Sequence, residues 1–300
     1  MEAIFKGENI LEFSQMFCSD EKCREFIRLE KWKNGYVCKH CGHKKYFELK
    51  KSCSRECTKC KYIESATAGT LFHKLKFGLQ KSFMIIFEMS CSTKGMSSPQ
   101  IAKRYGITQK TAWFFMQKVK IAMESSKTQA MTGSVHVDEF VIGGRETGKQ
   151  GRSYDSKKSK VVCAIELTEK GKIKRGYAKV IGDYSANSIE PIFKDHISLD
   201  ASIKTDKWTA YKKLSKKYSI VQEKSKPNEN FKQMHTIIQQ IKSGIRTIQT
   251  HVNRGHLQKY LDEYFFRLNR SIYKETIFNK LFERMVNHSL VLEKDIVLTK

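Results

Sequence analysis

The sequence predicts a mixed α/β protein built from several domains, on three observations. Two Cys-x-x-Cys pairs stand near the N-terminus. Helical periodicity broken by a glycine follows them, and from about residue 133 the apolar pattern becomes that of β-strands. In chain order these give an N-terminal helical segment (1–35), a zinc ribbon (36–72), a helix-turn-helix segment (79–126) and an α/β domain with C-terminal helices (133–290).

The charge balance names a class of partner. Lysine and arginine outnumber the acids 56 to 31, for a net charge of +25 spread along the chain. Phosphate neutralisation releases counterions wherever such residues sit, so a nucleic acid is the expected ligand. An acidic membrane surface is the competing reading. No apolar run approaches the ~20 residues that span a bilayer, and the N-terminus lacks the pattern of a secretory signal. A cytoplasmic, nucleoid-associated location is therefore expected. Nine cysteines in a reducing compartment argue for a metal site over disulfides.

In "YVCKHCGHKKYFELKKSCSRECTKCKYI", Cys38 and Cys41 form one pair and Cys57 and Cys60 the other, with fifteen residues between the pairs. Each pair suits a tight knuckle that brings two thiolates to one ion, and two knuckles close a structural Zn²⁺ tetrahedron. Cys53 competes as a ligand, with Cys57 and Cys60 preferred. So small a module holds little core, so zinc would carry much of its folding free energy.

From Leu79, residues Phe83, Ile86, Phe87 and Ser90 share a helical face. In "KGMSSPQIAKRYGITQKTAWFFMQKVKIAM", Ser98 is read as the cap of a helix starting at Pro99 and ending at Gly106. Thr108 then caps a second helix with Ala112, Phe115, Val119 and Ala122 facing inward. Lys110, Thr111 and Gln117 are its expected exposed DNA contacts, if the pair is a helix-turn-helix and not a hairpin that only packs.

Beyond the polar spacer Glu124–Gly133, Ser134–Ile142 alternates, "KVVCAIEL" suits a central strand, and "KIKRGYAKVIG" is a more polar third. A helix around Ile189–Phe193 crosses to a short strand, "SIKTD", and helices follow. Three antiparallel strands, a crossover, a fourth strand and helices make a domain of the ribonuclease H kind. That order brings Asp138 and Asp206 together although 68 residues separate them. Paired carboxylates repel unless a divalent cation lies between them, and Mg²⁺ suits the pair. A solvated strand end for Asp138 and a helix cap for Asp206 are the plainer readings.

The helix "NFKQMHTIIQQIKSGI" buries Phe231, Met234, Ile238, Ile241 and Ile245, and its other stripe carries His235, Gln239 and Lys242. No Asp or Glu occurs from Asn230 to Leu261. If this helix closes the site, His235 contributes a nitrogen, which suits Mn²⁺ better than Mg²⁺, or the site has two carboxylates only. Lys242 points the same way and grips phosphate.

The ordered motifs "VDEFVIGG", "KTDKWTAY", "MHTIIQQIKSGI" and "HLQKYLDEYFFRLNR", behind a zinc ribbon and a helix-turn-helix, resemble bacterial insertion-sequence transposases with a DDE-type, ISXO2-like catalytic domain. The resemblance covers Cys38 to Arg270. It implies metal-dependent cleavage and strand transfer on double-stranded DNA at element ends and target, by a homodimer or higher oligomer. The family's first two acids fall on Asp138 and Asp206, and its third position on His235, followed seven residues later by Lys242. Glutamate is the usual third residue, so His235 is a departure. Glu139, expected on the opposite strand face, is read as supporting and not ligating. Asp262 and Glu263 are substitute acids if His235 does not ligate. Arg246, Arg254, Arg267 and Arg270 are expected to contact phosphate. Two other readings are a structure-specific nuclease of the same fold and a transposase-derived DNA-binding protein without catalysis.

Overall fold

The computed structural model describes residues 4–5, 9–144, 157–226, 229–248, 252–272 and 274–297. The chain divides into two compact units, Met1–Met123 with Arg270–Thr299, and Glu124–Asn269.

The first unit opens with α1 (Ile10–Met16) and α2 (Asp20–Lys31), capped by Asn9 and Ser19. A three-stranded antiparallel sheet follows: β1 (Tyr46–Leu49), β2 (Ser54–Cys57) and β3 (Ile63–Ser65). Two knuckles with the same hydrogen-bond pattern flank it. Cys38 N–H donates to His43 O and Gly42 N–H to Cys38 O; Cys57 N–H donates to Tyr62 O and Lys61 N–H to Cys57 O, all at 2.9–3.0 Å. Gly42 and Lys61 take the left-handed conformation this turn demands.

The knuckles bring Cys38, Cys41, Cys57 and Cys60 together, with ligand atoms all within 4.8 Å of one another. Cys38 and Cys60 sulfurs lie 3.6 Å apart, as do those of Cys41 and Cys57. Zn–S bonds of about 2.3 Å in a tetrahedron place sulfurs about 3.8 Å apart, so the four thiols fit zinc. Burial opposes ionisation of Cys38 and Cys57. Backbone N–H groups of Cys41 and His40 beside Cys38, and of Cys60 and Lys59 beside Cys57, together with hydrogen bonds from the neighbouring cysteine thiols, outweigh it and lower both thiols. Cys53 stays outside the cluster, its thiol 3.8 Å from Lys50 O. Arg55 of β2, buried between Trp32 and Tyr46 at 4.5 and 3.9 Å, ties the ribbon to the end of α2.

Next come α3 (Leu79–Cys91), α4 (Ser98–Tyr105) and α5 (Gln109–Ala122). The cap of α4 is Ser97, one residue earlier than expected, and its hydroxyl accepts from Gln100 N–H. Pro99 therefore sits second in the helix, where its missing N–H costs nothing. Gly106 ends α4 at φ +59°, and Thr108 caps α5.

The second unit is a five-stranded sheet in the order β6-β5-β4-β7-β8: β4 (Ser134–Ile142), β5 (Ser159–Leu167), β6 (Ile173–Ile181), β7 (Ser202–Thr205) and β8 (Ile220–Gln222). The first three pair antiparallel; β7 lies parallel to β4, and β8 parallel to β7. This is the ribonuclease H-like arrangement. The sequence reading stopped at four strands, because β8 is three residues long and too short for an alternation to show. One face packs on α6 (Ala186–His196) and the short α7 (Tyr211–Leu214), through Val135, Val137, Ile189, Phe193, Ile203 and Tyr211. The other packs on α8 (Lys232–Ile248) and α9 (Arg254–Leu268), through Phe140, Val161, Ile165, Met234, Ile241 and Leu261.

Helix α9 also seals the free edge of the sheet. Gln258 accepts from Val180 N–H at 2.9 Å and donates to Ala178 O at 3.0 Å. Asn269 accepts from Gly176 N–H at 2.8 Å and donates to Gly176 O at 2.9 Å. Side-chain amides so pair strand groups that would otherwise invite another strand. The close approach needs Gly176, where a Cβ would meet Phe265 Cε1 at 2.8 Å and Ala164 O at 2.9 Å.

The chain then enters α10 (Lys274–Asn287) and α11 (Glu293–Val297). Phe278 and Phe282 of α10 pack on Phe83 of α3. The boundary at 290 read from sequence and the one at Asn269 seen in the contacts differ by this helix. Among the described residues no helix is long and apolar enough to cross a membrane.

Cys57→Ser purified with zinc should fall well short of the full equivalent held by wild type and by Cys53→Ser, as measured by elemental analysis; the reverse pattern would reassign the ligands. Gly176→Ala should destabilise the second unit by about 1–3 kcal/mol in denaturant titration, the usual cost of overpacking; unchanged stability would mean α9 can draw back freely.

Candidate metal centre and nucleic-acid interface

The site of the second unit is built by strand pairing. In the parallel ladder of β4 and β7 the last partners are Val137 and Thr205. The next residue on each strand is an aspartate, so Asp138 and Asp206 leave the ladder side by side. Asp206 is the first residue past β7, and its Oδ1 accepts the Trp208 N–H at 3.0 Å. Trp208 in turn donates its indole N–H to Tyr184 O at 2.9 Å, which fixes the turn. Asp138 Oδ1 accepts the Glu139 N–H at 2.8 Å.

Asp138, Glu139 and Asp206 form one carboxylate group whose ligand atoms lie within 4.8 Å of one another. Glu139 is the addition that sequence reasoning set aside. Its Cβ leaves the strand on the α6–α7 face, as period-two alternation requires. Yet β7 has stopped at Thr205, so at Glu139 the ladder continues only on the β5 side, where Val162 is its partner. The longer glutamate side chain reaches the other acids there, and its Oε1 accepts a hydrogen bond from the buried Tyr211 phenol. Burial, then the Glu139 charge, hold that phenol well above its usual range, so it remains a donor. Adjacency in the sequence was the available signal for Glu139, and the opposite-face rule overrode it.

Helix α8 contributes from the opposite face of the sheet. His235, in its first turn, has Nε2 4.0 Å from Asp138 Oδ2 and 3.4 Å from Ser225 Oγ. Two turns on, Lys242 lies with its ammonium 5.5 Å from the Phe140 ring centre. Burial and then the Arg246 charge push this lysine below its usual range, while Asp138 acts the other way. Lys242 and Arg246 line one groove with Gln239, Ser243 and Thr247. Oxygen donors with one imidazole at hand suit a hard divalent cation, with Mn²⁺ favoured by the nitrogen.

Other residues singled out from sequence lie elsewhere. Asp262 accepts from Gln258 Nε2 at 2.9 Å, and burial pushes its carboxyl up to about 7. Glu263 is buried and accepts from Arg267 at 2.5 Å, which occupies that arginine within α9. Neither acid is part of the carboxylate group. Arg254 is exposed in the first turn of α9.

In the first unit, Lys110 is exposed on α5 and pairs with Glu293 at 3.2 Å; Thr111 is half-buried, its hydroxyl 2.9 Å from that of the cap Thr108. Gln117 corrects the sequence reading: it is fully buried, not an exposed contact. Helix α5 packs against α3, α4, α10 and α11 at once, and Phe115, Met116, Gln117, Val119 and Lys120 are all buried. An amphipathic reading assumed one buried face where the tertiary structure covers most of the circumference.

The comparison with known families agrees with this geometry. A search of curated proteins returns no match. Residues 130–269 match the profile of the ISXO2-like transposase domain, a span that coincides with the second unit and holds every acid of the carboxylate group. That match, over a little under half of the chain, supports an insertion-sequence transposase with a DDE-type domain, and the four-cysteine cluster supports a zinc ribbon ahead of it.

Proposed function

We propose that the chain catalyses metal-dependent cleavage and strand transfer at the terminal inverted repeats of an insertion sequence. The observation that carries this reading is the pair Asp138 and Asp206, set side by side by parallel pairing in a strongly basic chain.

Asp138 and Asp206 hold divalent cations, and His235 offers a nitrogen donor from α8. Bound Mg²⁺ or Mn²⁺ would supply Lewis-acid stabilisation of the phosphoryl oxygens and of the attacking oxygen. The protein's share is positioning. Lys242 and Arg246 steady the phosphates flanking the scissile bond, and the fixed turn at Trp208 keeps Asp206 aimed at the site. Water attacks the phosphodiester at the element end and the P–O3′ bond breaks, leaving a 3′-hydroxyl. That hydroxyl then attacks a target phosphodiester in line and displaces the target's own 3′-oxygen. The zinc ribbon and the exposed start of α5, with Lys110 and Thr111, read the terminal repeats, and Arg254 adds a phosphate contact. Handling two ends requires at least a dimer on DNA, and the work takes place in the bacterial cytoplasm.

Purified protein with DNA carrying the flanking repeats should cleave and join in Mg²⁺ or Mn²⁺. Asp138→Ala and Asp206→Ala should each fall to background while still shifting the DNA in a gel. Cleavage that survives loss of Asp206 would sink the metal assignment. Undiminished activity in His235→Ala would remove only the nitrogen donor, and cleavage without joining would favour a nuclease of the same fold.

A further inference from the structure

Helix α8 closes the site without bringing a carboxylate: no Asp or Glu occurs between Asn230 and Leu261. Two aspartates alone then face cations of charge +2 each, in a protein already at +25. Such a site is short of negative charge, and cation affinity rises with the number of charged ligands. The missing charge is present on β4. Glu139 lies within the same 4.8 Å group as Asp138 and Asp206. A half-buried third carboxylate beside two others costs repulsion unless something compensates it. One compensation is the buried Tyr211 phenol, which donates to Oε1. A carboxylate accepts on both oxygens, so that bond and a cation are compatible on one group.

The two hydrogen bonds from the 206–211 segment make one device. The N–H of Trp208 fixes Asp206, and three residues on, the Tyr211 hydroxyl fixes Glu139. The stretches "VDE" and "TDKWTAY" are thus matched twice, acid to acid and acid to phenol.

We propose that Glu139 is a third carboxylate ligand of the metal centre, supplying from β4 the charge that α8 lacks, and that Tyr211 is its positioning residue. This rests on reading the second unit as a metal-dependent centre. In the full-length protein without DNA, Mn²⁺ binding is measured by the loss of the free-ion paramagnetic resonance signal. Glu139→Gln keeps the side chain's length and an acceptor for the phenol, so the fold is spared. It should raise the Mn²⁺ Kd at least about tenfold, and Tyr211→Phe should raise it by about tenfold with stoichiometry intact, the scale seen when groups orienting metal ligands are lost. If Asp138→Asn abolishes binding while Glu139→Gln stays within about twofold of wild type, Glu139 is not a ligand and only this inference falls. If wild type and Asp138→Asn bind alike, the metal reading of the whole site falls with it.

Discussion

The parallel pairing of β4 with β7 is the constraint on which the site depends. It is a long-range contact, joining Val137 to Thr205 through backbone hydrogen bonds, and the loop-closure entropy of that crossover is offset by burial of Val135, Val137, Ile189, Phe193 and Ile203. Once the ladder is in register, the next residue on each strand must be a neighbour of the other. A slip of one residue would turn Asp138 to the wrong face and separate it from Asp206. The apolar core thus does more than stabilise the unit. It sets the spacing of two charges that would otherwise repel.

Around that pair the structure works to hold side chains still. The Trp208 indole ties the turn after β7 to Tyr184 O, Tyr211 reaches Glu139 through the core, and the left-handed Phe231 starts α8 so that His235 falls within 4.0 Å of Asp138. Helix α9 anchors the far edge by side-chain amides, which keeps the sheet from pairing with another copy at β6. The positive charge is arranged differently. It is spread over exposed lysines and arginines, suited to a long polyanion, and it enters the acidic region through Lys242 and Arg246 on α8.

Much of this was legible in the sequence because it is carried by local rules. Cysteine spacing located the ribbon, since each knuckle is a short turn. Thr108 and Gly106 marked the ends of α5 and α4, and alternation in β4, a continuous apolar run in β5 and a more polar run in β6 placed those strands within a residue or two. What escaped is tertiary. The burial of Gln117 follows from packing on several sides of α5, which a single helical face cannot report. The strand β8 owes its state to β7, not to its own three residues. The placing of Phe278 and Phe282 beside Phe83 links positions almost 200 apart in the chain. The nearness of Glu139 to the two aspartates follows from β7 ending at Thr205, and the alternation within β4 does not report where a neighbouring strand stops.

The proposed function requires Asp138 and Asp206 to form one divalent-metal site. Anomalous scattering at the manganese edge, from crystals of the full-length protein soaked in Mn²⁺, tests it most directly. A peak within about 2.0–2.3 Å of carboxylate oxygens from both aspartates is the predicted result, near the distances that small hard cations hold to oxygen. A manganese peak elsewhere, with the two carboxylates left unligated, would contradict the account.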